Sequence, residues 1–316
     1  MGEKFKGIKE RHIYVKETTF ATGGDLEADG SLIGKDTKIN QSWSKGWQEI
    51  LNNGSGDRSV SSREKGPLDL PYTLNFIPFN WEFLKYVFDF TNTGSSPTVH
   101  TLTVPNTLLS YKMEWAFQNA SPLYIQTVGN FIKDITISFA KSTGGNKDSF
   151  INVACNCHAK DYSKETSIVA GDFSVSKAAY QFRNVNLVLN NVQTCAVNNG
   201  EVRITQGVNP NDSRYACVDN DGLIDEPIPT LFRVNARFNV TPEDSTYFDD
   251  WDDGVVINNC ALNFIQTALE DELDLNFVRV YYFNAVPNTN LEGIDTFDIV
   301  IEADSIGGTC YDDLTW

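Results

Sequence analysis

Residues able to do chemistry are few and scattered along this chain of 316 residues. Its three histidines, His12, His100 and His158, stand in polar or strand-like contexts. No Gly-x-Ser-x-Gly elbow and no His-x-x-x-His pair accompanies them, so they read as structural or surface residues. Cys155-Asn-Cys157-His158 offers soft ligands at close spacing, yet no second pair completes a metal set. Ile151, Val153, Cys155 and Cys157 instead alternate onto one strand face, where reduced thiols pack as small hydrophobes. Gly144-Gly145 is followed by Asn146 and Lys147 and lacks the spacing of a phosphate-binding loop.

Carboxylates form the only chemistry-bearing clusters. Asp219-Asn-Asp-Gly222-Leu-Ile-Asp225-Glu226 has the look of a calcium loop. Aligning Gly222 with the glycine of an EF-hand puts Cys217 at the first ligand position and Ile228 at the last, and neither can serve. Asp249-Asp-Trp-Asp-Asp253 and Glu270-Asp-Glu272 add charge without a ligand pattern. Nothing sets two carboxylates in opposition as a glycosidase requires. The expectation is therefore a protein without catalytic residues, cofactor or resident metal.

Charge narrows the partners. The net charge is −17, which opposes a grip on nucleic acid through phosphate neutralisation. It is unevenly placed: residues 1–160 carry 17 Lys and Arg against 16 Asp and Glu, whereas residues 161–316 carry 8 against 26. The second half suits either a solvated acidic coat or a wall past which a polyanion slides without sticking. The opening residues are charged and lack the apolar core of a secretory signal, and no segment has the apolar length of a membrane span. A chain assembled in the cytoplasm is expected, with no membrane insertion.

Most of the periodicity has the strand period. Leu231–Val240 sets Phe232, Val234, Ala236, Phe238 and Val240 on one face and Arg233, Asn235, Arg237 and Asn239 on the other. Lys133–Phe139, Val185–Leu189 and Phe297–Ile301 alternate likewise, and Phe277–Phe283 carries large side chains on both faces. Two helices are expected. One runs over Asn80–Phe88 with Asn80 as N-cap; the other starts at Thr241 with Pro242 in its first turn and carries Tyr247, Phe248 and Trp251. Each helix follows a turn-rich stretch and a strand, and strands follow each. That order points to tandem duplication of one β domain, divided as 1–160 and 161–316, with little residue identity between the halves.

Tyr14–Gly23, Tyr72–Phe76, Asn80–Phe88, Ser110–Trp115 and Gly129–Ile137, taken in order, give the first half a wording that resembles tail tube proteins (major tail proteins) of viruses that infect bacteria and archaea through a tail. Tyr14-Val-Lys-Glu17-Thr-Thr-Phe20-Ala-Thr-Gly23 is similar to that family's opening. Tyr72–Phe76 followed by Asn80–Phe88, then Ser110–Trp115, then Gly129–Ile137 leading through Gly144-Gly145 to Ile151–Val153, follow the family's order. The likeness is good over residues 10–160 and looser through Phe182–Leu189 and Leu231–Val240.

The resemblance implies a mainly β chain: a tail-tube-type antiparallel β-sandwich or barrel domain with short flanking helices. It implies copies that close into rings and stack into a tube in the virion tail, with genomic DNA passing through the lumen unbound. Other tail proteins, such as a tape measure and a tail terminator, would be partners. A duplicated chain would close as a trimer with pseudo-sixfold symmetry, and a single-domain chain as a hexamer; the repeat favours the trimer. Tyr14, Glu17 and Phe20 in the N-terminal segment, and Arg58 and Arg63 in the polar stretch Asn52–Lys65, are the candidate contacts between subunits. Two alternatives share the profile: another virion part such as a capsid decoration or baseplate protein, and a carbohydrate-binding β-sandwich with aromatics such as Trp43 and Tyr281.

Overall fold

A computed structural model describes the chain except residues 1–8, 52–59, 96, 119–121, 143–148, 172, 174–176, 191, 195, 214–222, 242–245, 258, 268–269, 289–295 and 315. In chain order the strands are β1 (Lys9–Lys16), β2 (Ser31–Leu32), β3 (Lys35–Gln41), β4 (Ser44–Leu51), β5 (Val60–Asp69) and β6 (Pro71–Ile77). There follow β7 (Asp89–Thr93), β8 (Thr98–Thr103), β9 (Tyr111–Gln118), β10 (Leu123–Ala140), β11 (Asn152–His158) and β12 (Asp161–Glu165). The rest are β13 (Val185–Leu189), β14 (Val192–Thr194), β15 (Val197–Thr205), β16 (Arg233–Val240), β17 (Val256–Ile257), β18 (Cys260–Thr267), β19 (Asp271–Asn288) and β20 (Thr296–Asp312). The chain is mainly β and every named pairing is antiparallel, as the alternating patterns require.

Three strands, β10, β19 and β20, are long enough to bend from one layer of a sandwich into the other. Their inner halves belong to one sheet in the order β3–β6–β11–β10–β15–β16–β20–β19. The outer layer of the first half is β2–β1–β9–β10–β12, and that of the second is β14–β13–β18–β19–β20. The layers meet through rings: Trp115 of β9 packs 5.2 Å from Tyr72 of β6, and Phe264 of β18 packs 6.0 Å from Phe139 of β10. One continuous apolar core runs from Tyr14 to Trp316. The expected strands are all present, with Val234, Ala236, Phe238 and Val240 buried on β16 and Cys155 and Cys157 buried as free thiols on β11.

The pairings of the first half recur in the second, residue for residue. β10 meets β11 with a bulge at Lys133, between the pairs Ile132–Cys157 and Asp134–Asn156. β19 meets β20 with a bulge at Phe283, between Tyr282–Ile301 and Asn284–Val300. Carrying that alignment outward matches β6 against β11 to β16 against β20, β9 against β10 to β18 against β19, and β1 against β9 to β13 against β18. It also matches β3 against β6 to β15 against β16. The two strands β11 and β12 together correspond to the single strand β20, because β12 pairs with the outer half of β10 as the end of β20 does with β19. β12 lies just past residue 160, so by its pairing it goes with the first half. The hairpin β7–β8 has no counterpart; it lies on the end of β20 and is locked there by His100 stacked 4.0 Å from Trp316.

The helices differ from expectation. Asn80–Phe88 holds only a 3₁₀ segment, Glu82–Tyr86, entered at Trp81 without a side-chain cap. All five of its residues are buried, so neighbours on every side and not a single apolar stripe define it. The second helix, Thr246–Asp252, carries Tyr247, Phe248 and Trp251 as expected. Its expected start falls partly on 242–245, outside the described residues, and Thr241 donates its N–H to Ala196 O instead.

The bend itself has a backbone signature. Gly129 in β10 has φ +62°, and Arg279, which occupies the equivalent place in β19, has φ +51°. A Cβ on Gly129 would stand 2.7 Å from the Lys160 Cβ, so glycine is required there on two grounds. Gly129→Ala is expected to lower stability by about 2 kcal/mol or more, whereas Arg279→Gly should leave it unchanged or raise it by up to about 1 kcal/mol. Urea unfolding of the two variants checks this contrast.

Candidate assembly surface

Three of the residues expected at contacts between subunits are held within the fold. Tyr14 is buried among Phe83, Tyr86 and Tyr111, with ring centroids 5.3, 5.8 and 6.3 Å away. Glu17 is also buried, and its carboxylate accepts the Gly129 N–H at 3.0 Å and the Ala21 N–H at 3.0 Å. It therefore holds the bend of β10. Phe20 is half-buried against Phe131, with the Lys160 ammonium 5.5 Å from its ring. Arg58 lies outside the described residues, and Arg63 is placed by its backbone, opposite Glu49 in the antiparallel pair β4–β5.

The surface that matters is written in the junction between the two halves. There β10 pairs with β15, from Asp134 opposite Thr205 to Ala140 opposite Asn199, so one sheet continues across the junction. Beside it Phe131 is 1% exposed, covered by Leu108 and by Val208 and Ile224 from the segment between β15 and β16. The Gln206 N–H bonds the Lys133 carbonyl at 2.9 Å, and the Gln206 side chain donates to Tyr86 O at 3.0 Å. Trp81 closes the back of the junction, 5.0 Å from both Tyr180 and Phe264. Burying each such aromatic side chain contributes roughly 1.5–3 kcal/mol.

At the far end of the second half the same positions lie open. Asn284–Asn288 of β19 corresponds to Asp134–Ser138 of β10, and among the described residues it has no strand on its second side. β3, which corresponds to β15, is likewise paired only with β6. Val278, Tyr281 and Phe283 correspond to Val128, Phe131 and Lys133. Phe283 is 67% exposed and Tyr281 40% where Phe131 is covered. With Val255 and Val256 on or beside β17 they make up five of the nine exposed large hydrophobics among the described residues. An apolar patch beside an unpaired strand edge marks a place for another chain.

The outer face of the inner sheet is polar. Asn199, Glu201 and Arg203 of β15 and Arg233, Asn235, Arg237 and Asn239 of β16 point away from the core. Lys38, Arg203, Arg233 and Arg237 stand among Asp36, Asp134, Glu201, Asp298 and Glu302, so the signs nearly cancel. Arg237 meets Asp298 at 3.2 Å and Arg203 meets Asp134 at 3.5 Å. The acidity of the second half is thus not concentrated on this face. Part of it lies on the helix Thr246–Asp252, where burial and then the neighbouring Asp249 and Asp253 push the Asp250 carboxyl up.

The three histidines hold structure. His100 is buried with its ring nitrogens 2.7 Å from Asn92 Oδ1 and 2.9 Å from Asp312 Oδ1. His158 lies 2.8 Å from Asp69 Oδ1, and His12 lies 3.3 Å from Glu10 Oε2. Burial pushes the Cys155 and Cys310 thiols well up, which suits packing over reactivity. Among the described residues no group of three or more His, Cys, Asp or Glu is placed to hold a metal ion, and no helix is long and apolar enough to cross a membrane. No protein-family model matches the chain, and comparison with curated proteins finds no relative.

Burial is the main cause that raises the Glu17 carboxyl, outweighing its hydrogen bonds from Ser110, Gly129 and Ala21 and the charge of Lys112. A carboxyl raised in the folded state binds its proton more tightly there than in the unfolded chain, so its contribution is complete at acid pH and falls as pH rises through the folded value. Glu17→Gln removes that titration. The stability of the natural chain relative to Glu17→Gln should therefore be greater at pH 4 than at pH 7, measured by urea unfolding.

Proposed function

We propose that this chain is a structural virion protein whose copies close into rings and stack into the tail tube of a tailed virus, the conduit for genome delivery. The observation that carries the reading is the junction: one half of the chain already joins the next by continuing a sheet, and among the described residues both ends of that sheet are unpaired. A unit that joins its own successor edge to edge leaves its last edge for the first edge of another copy. Repetition of one such contact around an axis closes a ring and removes the exposed edges.

The geometry suits a conduit. Each copy brings eight strands to the inner sheet, so three copies bring twenty-four. With strands about 4.8 Å apart and tilted by about 40°, a barrel of that number has a backbone diameter on the order of 45–50 Å. That leaves room for a DNA duplex after side chains are added. The wall would be the polar face, where Asn side chains and paired charges of both signs offer no basic track for phosphates. Partners follow from the reading: further copies of this chain, other tail proteins at the tube ends, and DNA in transit. The ring is a trimer of two-unit chains with pseudo-sixfold symmetry.

A charge of −17 on every copy makes assembly depend on screening, since the Debye length falls from about 30 Å at 0.01 M salt to about 8 Å at 0.15 M. Negative-stain electron microscopy of the purified protein tests both points. Hollow rings or stacked tubes are expected at high ionic strength, with dissociation at low ionic strength. Discrete particles without a central hole at every salt concentration would overturn the tube reading.

A further inference from the structure

We infer that the ring contact has a definite register, set by the junction inside the chain: Ser44 of one copy lies opposite Asn284 of its neighbour, Trp43 opposite Ala285, Ser42 opposite Val286, and Gln41 opposite Pro287. This deepens the ring reading above and rests on it.

The register follows from two correspondences that the pairings fix independently. Asp134 and Asn284 each open the stretch after the bulge, opposite Asn156 and Val300. Thr205 and Ser44 each face the start of the following inner strand or its approach, Thr205 opposite Arg233 and Ser44 opposite Asp69. Arg233 and Asp69 are themselves equivalent, since Asn235 and Pro71 occupy matched places opposite Glu302 and His158. Asp134 faces Thr205 within the chain. Replacing each partner by its equivalent puts Asn284 against Ser44.

The faces agree with that placement. Ile204 is buried in the core beside β10, and its equivalent Trp43 turns the same way, its ring 4.9 Å from that of Trp115. Ser44 and Ser42 are exposed, as outward-facing positions on an uncovered edge should be. Pro287 supplies no N–H, so the flanking residues carry the ladder there.

The same substitution of equivalents accounts for the exposed patch. Phe131 is covered from the segment between β15 and β16, which contributes Val208 and Ile224. The corresponding segment between β3 and β6 is the antiparallel pair β4–β5. In the ring, the neighbour's β4–β5 therefore lies over Tyr281 and Phe283. A two-stranded pair and an uncovered aromatic patch, unrelated within one chain, become partners across the contact.

Within one chain Ser44 and Asn284 sit on opposite edges of an eight-strand sheet, too far apart to be linked, so any link between them joins two copies. The test is the double variant Ser44→Cys, Asn284→Cys, oxidised under assembly conditions and run on a non-reducing gel beside each single variant and the natural chain. Covalent dimers and trimers in the double variant alone are expected. Rings visible by microscopy without this link would overturn the register and leave the ring reading standing. A protein that stays monomeric under every condition would overturn both. Phe283→Asp, at a position two-thirds exposed in the single chain, should raise the protein concentration needed for assembly at least tenfold while leaving the unfolding midpoint of the monomer unchanged. Unchanged assembly would contradict the cover by β4–β5.

Discussion

A strand edge presents a row of N–H and C=O groups that must find partners, and most of this structure answers that demand. Within the chain the demand is met by β10 taking β15 as its outer neighbour, by β7–β8 lying on the end of β20, and by β12 continuing where β11 stops. In the inner sheet two edges are left among the described residues, at β3 and at the inner half of β19, its first and last strands. β3 has a bulge between Lys35 and Lys38 and β19 one at Phe283, both outside the stretches Gln41–Ser44 and Asn284–Pro287, and neither edge is guarded by a run of lysines, a usual means of keeping an edge from pairing. Only Pro287 blunts one position. The proposed ring would use both edges.

Continuation requires that two units of different sequence share one geometry, and the bend in the long strand shows how. In β10 the turn between layers is made by Gly129 with its N–H held by the buried Glu17 carboxylate. In β19 it is made by Arg279, which adopts the same left-handed backbone without glycine and points into solvent. Crowding differs: Gly129 is packed under Lys160 and Phe20, while the equivalent region of the second unit carries the open patch around Phe283. Likewise the 3₁₀ segment at Glu82–Tyr86 is fully buried, with the Tyr86 carbonyl accepting from Gln206 of the second unit, whereas the helix at Thr246–Asp252, in the equivalent place, has no buried residue. In each comparison the first unit is the more closely packed.

The strands were legible because alternation is a direct consequence of a half-buried sheet: Arg233–Val240 declares its two faces without any tertiary information. The packing role of Cys155 and Cys157 could be read the same way. The order strand, helix, strand on each side of the chain hinted at the repeat, yet its registers could not be read. Gly129 against Arg279, Ile137 against Pro287 and Lys133 against Phe283 share a backbone position and no side-chain chemistry. Glu17 reads as a contact candidate from its place in the N-terminal segment; only the structure brings the Gly129 and Ala21 N–H groups to it. The assembly surface escaped for a deeper reason. An unpaired edge is a property of topology, and no residue type marks it.

The central claim is that three two-unit copies complete what each copy leaves unfinished. Native mass spectrometry of the assembled protein, just above the concentration at which rings appear, tests it most directly. The account predicts a smallest closed species of three chains of 35.3 kDa each, with larger species in multiples of three as rings stack. A smallest closed species of two or six chains would contradict it, because the unit would then not be half of the chain.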